Sequence, residues 1–291
     1  MSDLIQKRES KRYPGLFVKK YSRKVFYDAL WNTDPALMEA RGHVEDKLGN
    51  IVIRPFTKIF NRGENDTDID RNEDVLAIRK INGFMAAATY VPYVGSVVVS
   101  TTGSLDSDFI GYAETYITPE VKRAIFNLFH EMKKPVTFLF EICHPDDPHI
   151  VAENAGAYLI GMREVDNDLP YFSSSVDEVM LDSIAGQLKV FRPTWKHTRF
   201  SDVVKAAAEC KHEGYVVYGQ TSRTALKIKS PYYLTLKACA RKKDIESLDK
   251  QRVDEEFYDL IAHLKTLGPA FNEMEEQARL EYMVNWLNHD Q

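Results

Sequence analysis

The stretch Val75-Leu76-Ala77-Ile78-Arg79-Lys80-Ile81-Asn82-Gly83-Phe84-Met85-Ala86 sets two short apolar runs on either side of a lysine and a glycine three residues apart. Runs of this length read as strands, so the stretch predicts a strand, a tight turn and a second strand, with Lys80 where the first one stops. Gly83 tolerates backbone angles other residues avoid and lets a ligand approach the main chain. A lysine fixed at a strand end and partly stripped of water can lose its proton and become a nucleophile. A lone Lys-x-x-Gly is an ordinary hairpin with a surface lysine, and only what lies downstream makes it a candidate site.

Downstream, charged residues sit inside strand-like runs. Val136–Cys143, VTFLFEIC, is apolar except for Glu141, a carboxylate that is costly there without a partner or a task. Glu213-Gly214 opens a strand running to Tyr218, and Ala225–Ser230 reads as its hairpin partner. Lys227 and Lys229 then point to one face of that strand and Ile228 to the other, and a bound polyphosphate accounts for two lysines so placed. Further strands are expected in residues 41–63, around a Leu48-Gly49-Asn50 turn and before an irregular loop, and at Ser96–Ser100 and Ala157–Arg163. Thr118-Pro119-Glu120 opens a helix whose Val121, Ile125, Leu128 and Met132 face a core, and Pro135 ends it. Helical pattern recurs over residues 175–188 and 199–210, and again from Val253 onward with a break at Gly268-Pro269. The expected class is α+β: antiparallel sheets with flanking helices, plus a short C-terminal helical segment.

A chain of 291 residues with 44% hydrophobic and 28% charged residues can bury a sizeable core. Its net charge of −5 excludes binding to nucleic acid by overall basicity, though not a local basic groove. Residues 1–24 nevertheless carry eight cations against Asp3 and Glu9, a segment that either holds phosphates or is a solvated surface. Three widely spaced cysteines give no disulfide framework, the N-terminus has no signal-peptide core, and Pro92 and Gly95 break the longest apolar stretch. A soluble protein of the cytoplasm is expected, with no membrane partner. Asp66, Asp68 and Asp70 mimic a calcium loop, but Arg71 stands where that loop needs glycine. Cys143-His144-Pro145-Asp146-Asp147-Pro148-His149 reads as a turn rather than a zinc site.

In chain order, Lys80-x-Asn82-Gly83, Glu141, Glu213-Gly214 and Lys227-x-Lys229 resemble the motifs of the covalent nucleotidyltransferases, the superfamily of ATP-dependent ligases and messenger-RNA capping enzymes. The segment ARGHVEDKLGNIVIRPFTKIFNRGE, residues 40–64, is similar to the one preceding the lysine motif in RNA-repair ligases of the bacteriophage tRNA-sealing type, and to the ligase domain of fungal tRNA ligases. The resemblance spans roughly residues 38–240. It implies an ATP-grasp-like nucleotidyltransferase domain over residues 1–240 and a small helical domain over 241–291.

The implied activity is ATP-dependent joining of RNA 5′-phosphate and 3′-hydroxyl ends, with ATP and magnesium (or manganese) as cofactors and cleaved tRNA among the substrates. A monomer is expected, in the infected host's cytoplasm if phage-encoded. By the same match Lys80 is the nucleophile that takes AMP, and Lys227 and Lys229 grip the α-phosphate. Crowding by these two lysines and a metal is expected to lower the pKa of Lys80. Arg41 and Lys58 match phosphate contacts, while Ile78, Arg79 and Gly83 belong to the nucleotide pocket. Asn82, where aspartate is common, is expected to bond the ribose, and Tyr158 and Ile160 to face the adenine. Glu141 would receive a ribose hydroxyl, and with Glu213 would hold a metal or its waters. Thr101 and Thr102 replace lysines of some relatives. No OB-fold strands follow Lys229, which counts against a DNA ligase or capping enzyme. The alternatives are a ligase for DNA or nicked duplex ends and a catalytically silent RNA-binding relative.

Overall fold

The computed structural model describes residues 4–165, 177–249 and 253–289. The described strands form three sheets. The first runs β1 (Ile5–Glu9), β2 (Phe17–Tyr21), β3 (Arg41–Glu45), β4 (Ile51–Ile53). A second sheet has the order β10 (Gly156–Glu164), β9 (Val136–Cys143), β7 (Phe84–Val91), β8 (Ser96–Thr101). The third is β11 (Trp195–Arg199), β6 (Asp74–Arg79), β12 (Gly214–Gly219), β13 (Ala225–Lys229), β5 (Phe60–Asn61). Pairing is antiparallel, as expected, apart from the parallel edge that sets Leu226 opposite Phe60 and Lys227 opposite Asn61.

The expected hairpin around Lys80 does not form. β6 lies between β11 and β12 in the third sheet, whereas β7 lies between β9 and β8 in the second, so residues 80–83 cross from one sheet to the other. Gly83 makes the crossing fit, and not by an unusual backbone angle: a Cβ there would stand 2.3 Å from the Ile142 carbonyl oxygen on β9. Gly214 meets both demands at once, with φ +130° and a Cβ position 2.0 Å from the Ile228 carbonyl oxygen.

Strand alternation sorts the side chains of these sheets. On β6, Val75 and Ala77 pack on α6 (Phe200–Glu209), while Leu76 and Ile78 face the second sheet. Val217 of β12 and Leu226 and Ile228 of β13 likewise point to α6, leaving Val216, Tyr218 and Ala225 for the inter-sheet side. β9 is buried along its whole length: Phe138, Phe140 and Ile142 meet the helices behind it, and Leu139 meets the third sheet. Lys80, Lys227, Lys229 and Glu141 keep the parity of the inter-sheet residues.

Ahead of the nucleus, α1 (Arg23–Tyr27) and α2 (Ala36–Glu39) are single turns between β2 and β3. Behind the second sheet pack α3 (Asp108–Tyr116), α4 (Pro119–Met132) and α5 (Glu178–Leu188). Thr118 caps α4 as its sequence foretold, accepting from the Val121 amide. The helical reading of residues 175–188 falls partly outside the described residues. α7 (Pro231–Ala240), α8 (Tyr258–Leu267), α9 (Pro269–Asn272) and α10 (Glu276–His289) complete the chain. Tyr233, Leu236 and Cys239 of α7 share one core with Leu260, Phe271 and Met283, so the expected division at residue 240 cuts through this packing. The N-terminal hairpin β1–β2 carried no apolar signal, since Gln6, Lys7, Arg8 and Glu9 are all exposed. Among the described residues no helix is long and apolar enough to cross a membrane.

Because the contact at Gly83 is with backbone that cannot turn away, Gly83→Ala is expected to destabilise the fold by about 1–3 kcal/mol, the usual cost of overpacking. A urea midpoint unchanged from that of the native protein would show that the crossing has slack.

Candidate active site

Where the two sheets diverge, the apolar inter-sheet packing gives way to a cavity of about 410 Å³. Its wall carries Lys80 from the end of β6, Glu141 from β9, Glu213 from just before β12, Lys227 and Lys229 from β13, and Arg41 from β3. Ile78, Phe56, Met85, Ile160, Val216 and Tyr218 supply its apolar part. Arg79, Gly83 and Thr102 also reach it. Seven charged residues thus share a partly desolvated space with an aliphatic and aromatic lining. That composition suits a ligand with a flat apolar end and an anionic end.

The charges are unevenly matched. Lys80 Nζ lies 2.8 Å from Glu213 Oε2 and 3.9 Å from Glu141 Oε1. Its backbone is fixed as well, with the amide donating to the Gly214 carbonyl at 2.9 Å. Burial opposes the ammonium most strongly, but Glu141 and Glu213 outweigh it and raise the Lys80 pKa. The expected depression is therefore reversed in the free protein: the carboxylates beside Lys80 matter more than Lys227 and Lys229. Glu141 is pushed up by burial, and Lys80 only partly offsets this.

Lys227 has the opposite surroundings. Burial, followed by Arg41, Lys58, Lys80 and Lys229, brings it down to about 7, with no carboxylate among these causes. Lys229 is lowered too, by burial, although it lies 3.6 Å from Glu213 Oε1. The anion-seeking end of the cavity is the end around Lys227.

Three of the expected contacts are placed elsewhere. Asn82 is buried and both ends of its amide are in use: Nδ2 donates to Glu213 Oε2 at 2.9 Å, and Oδ1 accepts from the Val151 amide at 3.0 Å. It ties Glu213 to the segment after β9 and does not line the cavity. Lys58 is sequestered, with Nζ over the rings of Trp31 and Phe60 and 3.1 Å from Glu64. Tyr158 does not line the cavity; its ring packs with Ile81 and Cys143, and its hydroxyl donates to the Asn154 carbonyl. Ile160, two residues on, does line it. Arg79 is held by Glu153 at 2.8 Å.

The donors suit a hydrated hard cation better than a protein-bound one. Among the described residues, no group of three or more His, Cys, Asp or Glu is arranged to hold a metal ion. Glu213 already accepts from Lys80 and Asn82, leaving Glu141 and Glu213 able to engage an ion through its waters. Phe56, Met85, Val216 and Tyr218 were not singled out from sequence. The last two had a signal, since they share strand parity on β12, next to the lysine strand.

Residues 39–233 match the RNA ligase family, and the chain belongs to that family. It is an RNA ligase. No curated protein matches the sequence. Among solved structures, an archaeal ATP-dependent RNA ligase aligns over 97% of this chain and 73% of its own, with 14% identity and a TM-score of 0.55. A putative ATP-dependent DNA ligase from Aquifex aeolicus aligns over 96% and 73%, with 12% identity and a TM-score of 0.53. At such identities the likeness is one of fold.

The clamp on Glu213 gives a test independent of any substrate. Asn82→Asp replaces the donor with a second carboxylate, and two facing carboxylates resist joint ionisation. Relative to the native protein, this variant should lose stability progressively as pH rises above the carboxylate range, about 4. Asn82→Ala should instead lose about 1–3 kcal/mol at every pH, through unmet buried groups. Parallel pH profiles of the melting temperature for the two variants would refute the clamp.

Proposed function

We propose that this RNA ligase uses ATP to join an RNA 5′-phosphate to a 3′-hydroxyl by way of AMP carried on Lys80. The observation that carries the reading is the cavity itself: one lysine braced by Glu213 and Glu141, opposite Lys227, whose surroundings are dominated by burial and other cations. A silent RNA-binding protein has no use for that asymmetry.

Chemically, Lys80 Nζ must first give its proton to water, a step that the ion pair with Glu213 Oε2 at 2.8 Å opposes in the free protein. The amine then attacks the α-phosphorus of ATP, forming a P–N bond as the bond to pyrophosphate breaks. An oxygen of the RNA 5′-phosphate next displaces Lys80, which leaves as an amine and regains its proton. Finally the 3′-hydroxyl oxygen, giving its proton to water, attacks the RNA's own 5′-phosphorus, and AMP departs as the bond between the two phosphates breaks. Each displacement builds charge on non-bridging phosphate oxygens, and Lys227, Lys229 and Arg41 line the cavity to meet it. A divalent cation held through its waters by Glu141 and Glu213 would weaken their hold on the Lys80 proton and neutralise phosphate charge. The adenine would take the apolar end, among Ile78, Ile160, Val216 and Tyr218. Cleaved tRNA, in repair of the bacteriophage kind, is the substrate class we propose.

The roles of the lysines separate experimentally. Incubated with α-labelled ATP and magnesium, the native protein should acquire an acid-labile label that survives denaturation, and Lys80→Ala should acquire none. Supplied with RNA already adenylated, and no ATP, Lys80→Ala should still seal. Lys227→Ala should fail at both steps by about 2–4 kcal/mol, roughly two to three powers of ten in rate. Equal sealing of pre-adenylated RNA by the two variants would refute the division; an unlabelled native protein would refute the enzyme mechanism. A matched DNA strand in the same assay tests the preference for RNA.

Lys227 also sets a pH dependence. Its amine is half-protonated at about 7 in the free protein. A phosphate favours the ammonium, so binding ATP above that pH must take up a proton. Affinity should therefore fall as pH rises from about 7 to 9, approaching tenfold per unit. Calorimetric binding enthalpies should vary with the ionisation enthalpy of the buffer. Lys227→Arg, which stays charged, should remove both effects, and a native affinity that does not change with pH would contradict the assignment.

A further inference from the structure

The N-terminal hairpin treats the cations on its two faces differently. Lys7 and Lys19 stand opposite each other on β1 and β2, and both pair with the buried Glu45 of β3. Those two charges are spent inside the sheet. On the other face, Lys20 of β2 stands opposite Arg41 of β3, and Gln6 of β1 stands opposite Lys20. Arg8 follows Gln6 on the same face of β1. Arg8 and Lys20 are exposed, and among the described residues neither they nor Arg41 make an ion pair. Asp106, whose carboxylate feels the charge of Arg8, is already committed to the Ser10 hydroxyl and the amides of Lys11 and Arg12.

This face opens onto the cavity. Arg41 is in its wall, and Lys20 lies across Gly103, the residue after Thr102 of that same wall: a Cβ on Gly103 would be 3.1 Å from Lys20 Cδ and 3.3 Å from its Nζ. From Arg41 to Lys20 to Arg8 the charges step outward strand by strand, with about 4.8 Å between strands, Arg8 lying two residues along β1 from the position opposite Lys20. A single file of unpaired cations, one per strand and ending in a cationic pocket, matches one sugar–phosphate chain rather than the two of a duplex. The end drawn into the pocket should be the more anionic one, which is a 5′-phosphate and not a neutral 3′-hydroxyl.

We infer that Arg41, Lys20 and Arg8 form a track for the RNA strand that carries the 5′-phosphate, holding its first phosphates as its terminus enters the cavity. The inference rests on the ligase reading above. It assigns the basic N-terminal segment a role, and it assigns it to one face only.

The test uses the full chain and two labelled oligoribonucleotides. One carries a 5′-phosphate and a blocked 3′ end; the other carries a 5′-hydroxyl and a free 3′-hydroxyl. Dissociation constants are measured by fluorescence anisotropy across a salt series. The double variant Arg8→Ala/Lys20→Ala should bind the 5′-phosphate strand roughly tenfold more weakly, and its salt slope should fall by about 1.4, or 0.7 per lost phosphate contact on a single strand. Its affinity for the other strand should stay within twofold. A charge-matched control, Lys196→Ala/Lys205→Ala, removes two exposed lysines from β11 and α6 and should leave both affinities unchanged. An unchanged slope in the double variant, or a loss confined to the 5′-hydroxyl strand, overturns the track. So does an equal loss in the charge-matched control. Labelling of Lys80 by ATP is read on the same preparations. If labelling falls in the double variant while its RNA binding holds, the cations serve the ATP phosphates and the track is wrong. If the native protein takes no label, it is the ligase reading that fails, whatever the RNA slopes show.

Discussion

A desolvated ammonium survives inside a protein only if something nearby repays the water it has lost, and here the repayment is unequal. Lys80 has Glu213 at 2.8 Å with Glu141 behind it, and its charge is reinforced. Lys227 is dominated by other cations, and its proton becomes loose near neutrality. The cavity therefore holds one cation that is satisfied without a ligand and another that awaits one. Much of the surrounding architecture maintains that difference. Asn82 anchors Glu213, Gly214 brings its strand close enough for the Lys80 amide to bond, and Gly83 lets the lysine segment cross against β9.

This arrangement makes the order of events intelligible. On the proposed mechanism Lys80 is idle in the free protein, because its lone pair is occupied by a proton held among carboxylates. A polyanion entering beside Lys227 meets an unsatisfied charge first, so binding comes before activation. Only when Glu213 and Glu141 are drawn towards other positive charge does Lys80 become free to react. An amine protected in this way is not spent on stray electrophiles.

The sequence made some of this legible and hid the rest for identifiable reasons. Alternation along a strand is local, so Lys227 and Lys229 could be assigned to one face and Ile228 to the other without knowing any neighbour, and α6 indeed takes Ile228. Glu141 stood out because a carboxylate is rare in a run like VTFLFEIC. Pairing is not local. Nothing in residues 75–86 says that β6 and β7 belong to different sheets, and so a hairpin was expected where there is a crossing. Asn82 was misplaced for a related reason: its partner Glu213 is 131 residues away, and its other bond goes to a loop amide with no sequence signature. Lys58 was assigned to phosphate without the aromatic rings of Trp31 and Phe60 that enclose it. The β1–β2 hairpin went unseen because charged residues on both faces leave no period for hydrophobicity to report.

β13 carries its charged side chains and its core side chains on alternate positions of five residues, Ala225–Lys229. The loss or gain of one residue within it would turn the ammonium groups into the α6 interface and send Leu226 and Ile228 into the cavity. If β13 serves the proposed chemistry, catalytic capacity and foldedness are inherited as one trait on this strand. A lineage drifting through insertions and deletions can remodel the connections between strands, but along β13 it has no route to a stable, inactive descendant. Substitution can silence the strand and leave the fold standing; a change of length cannot.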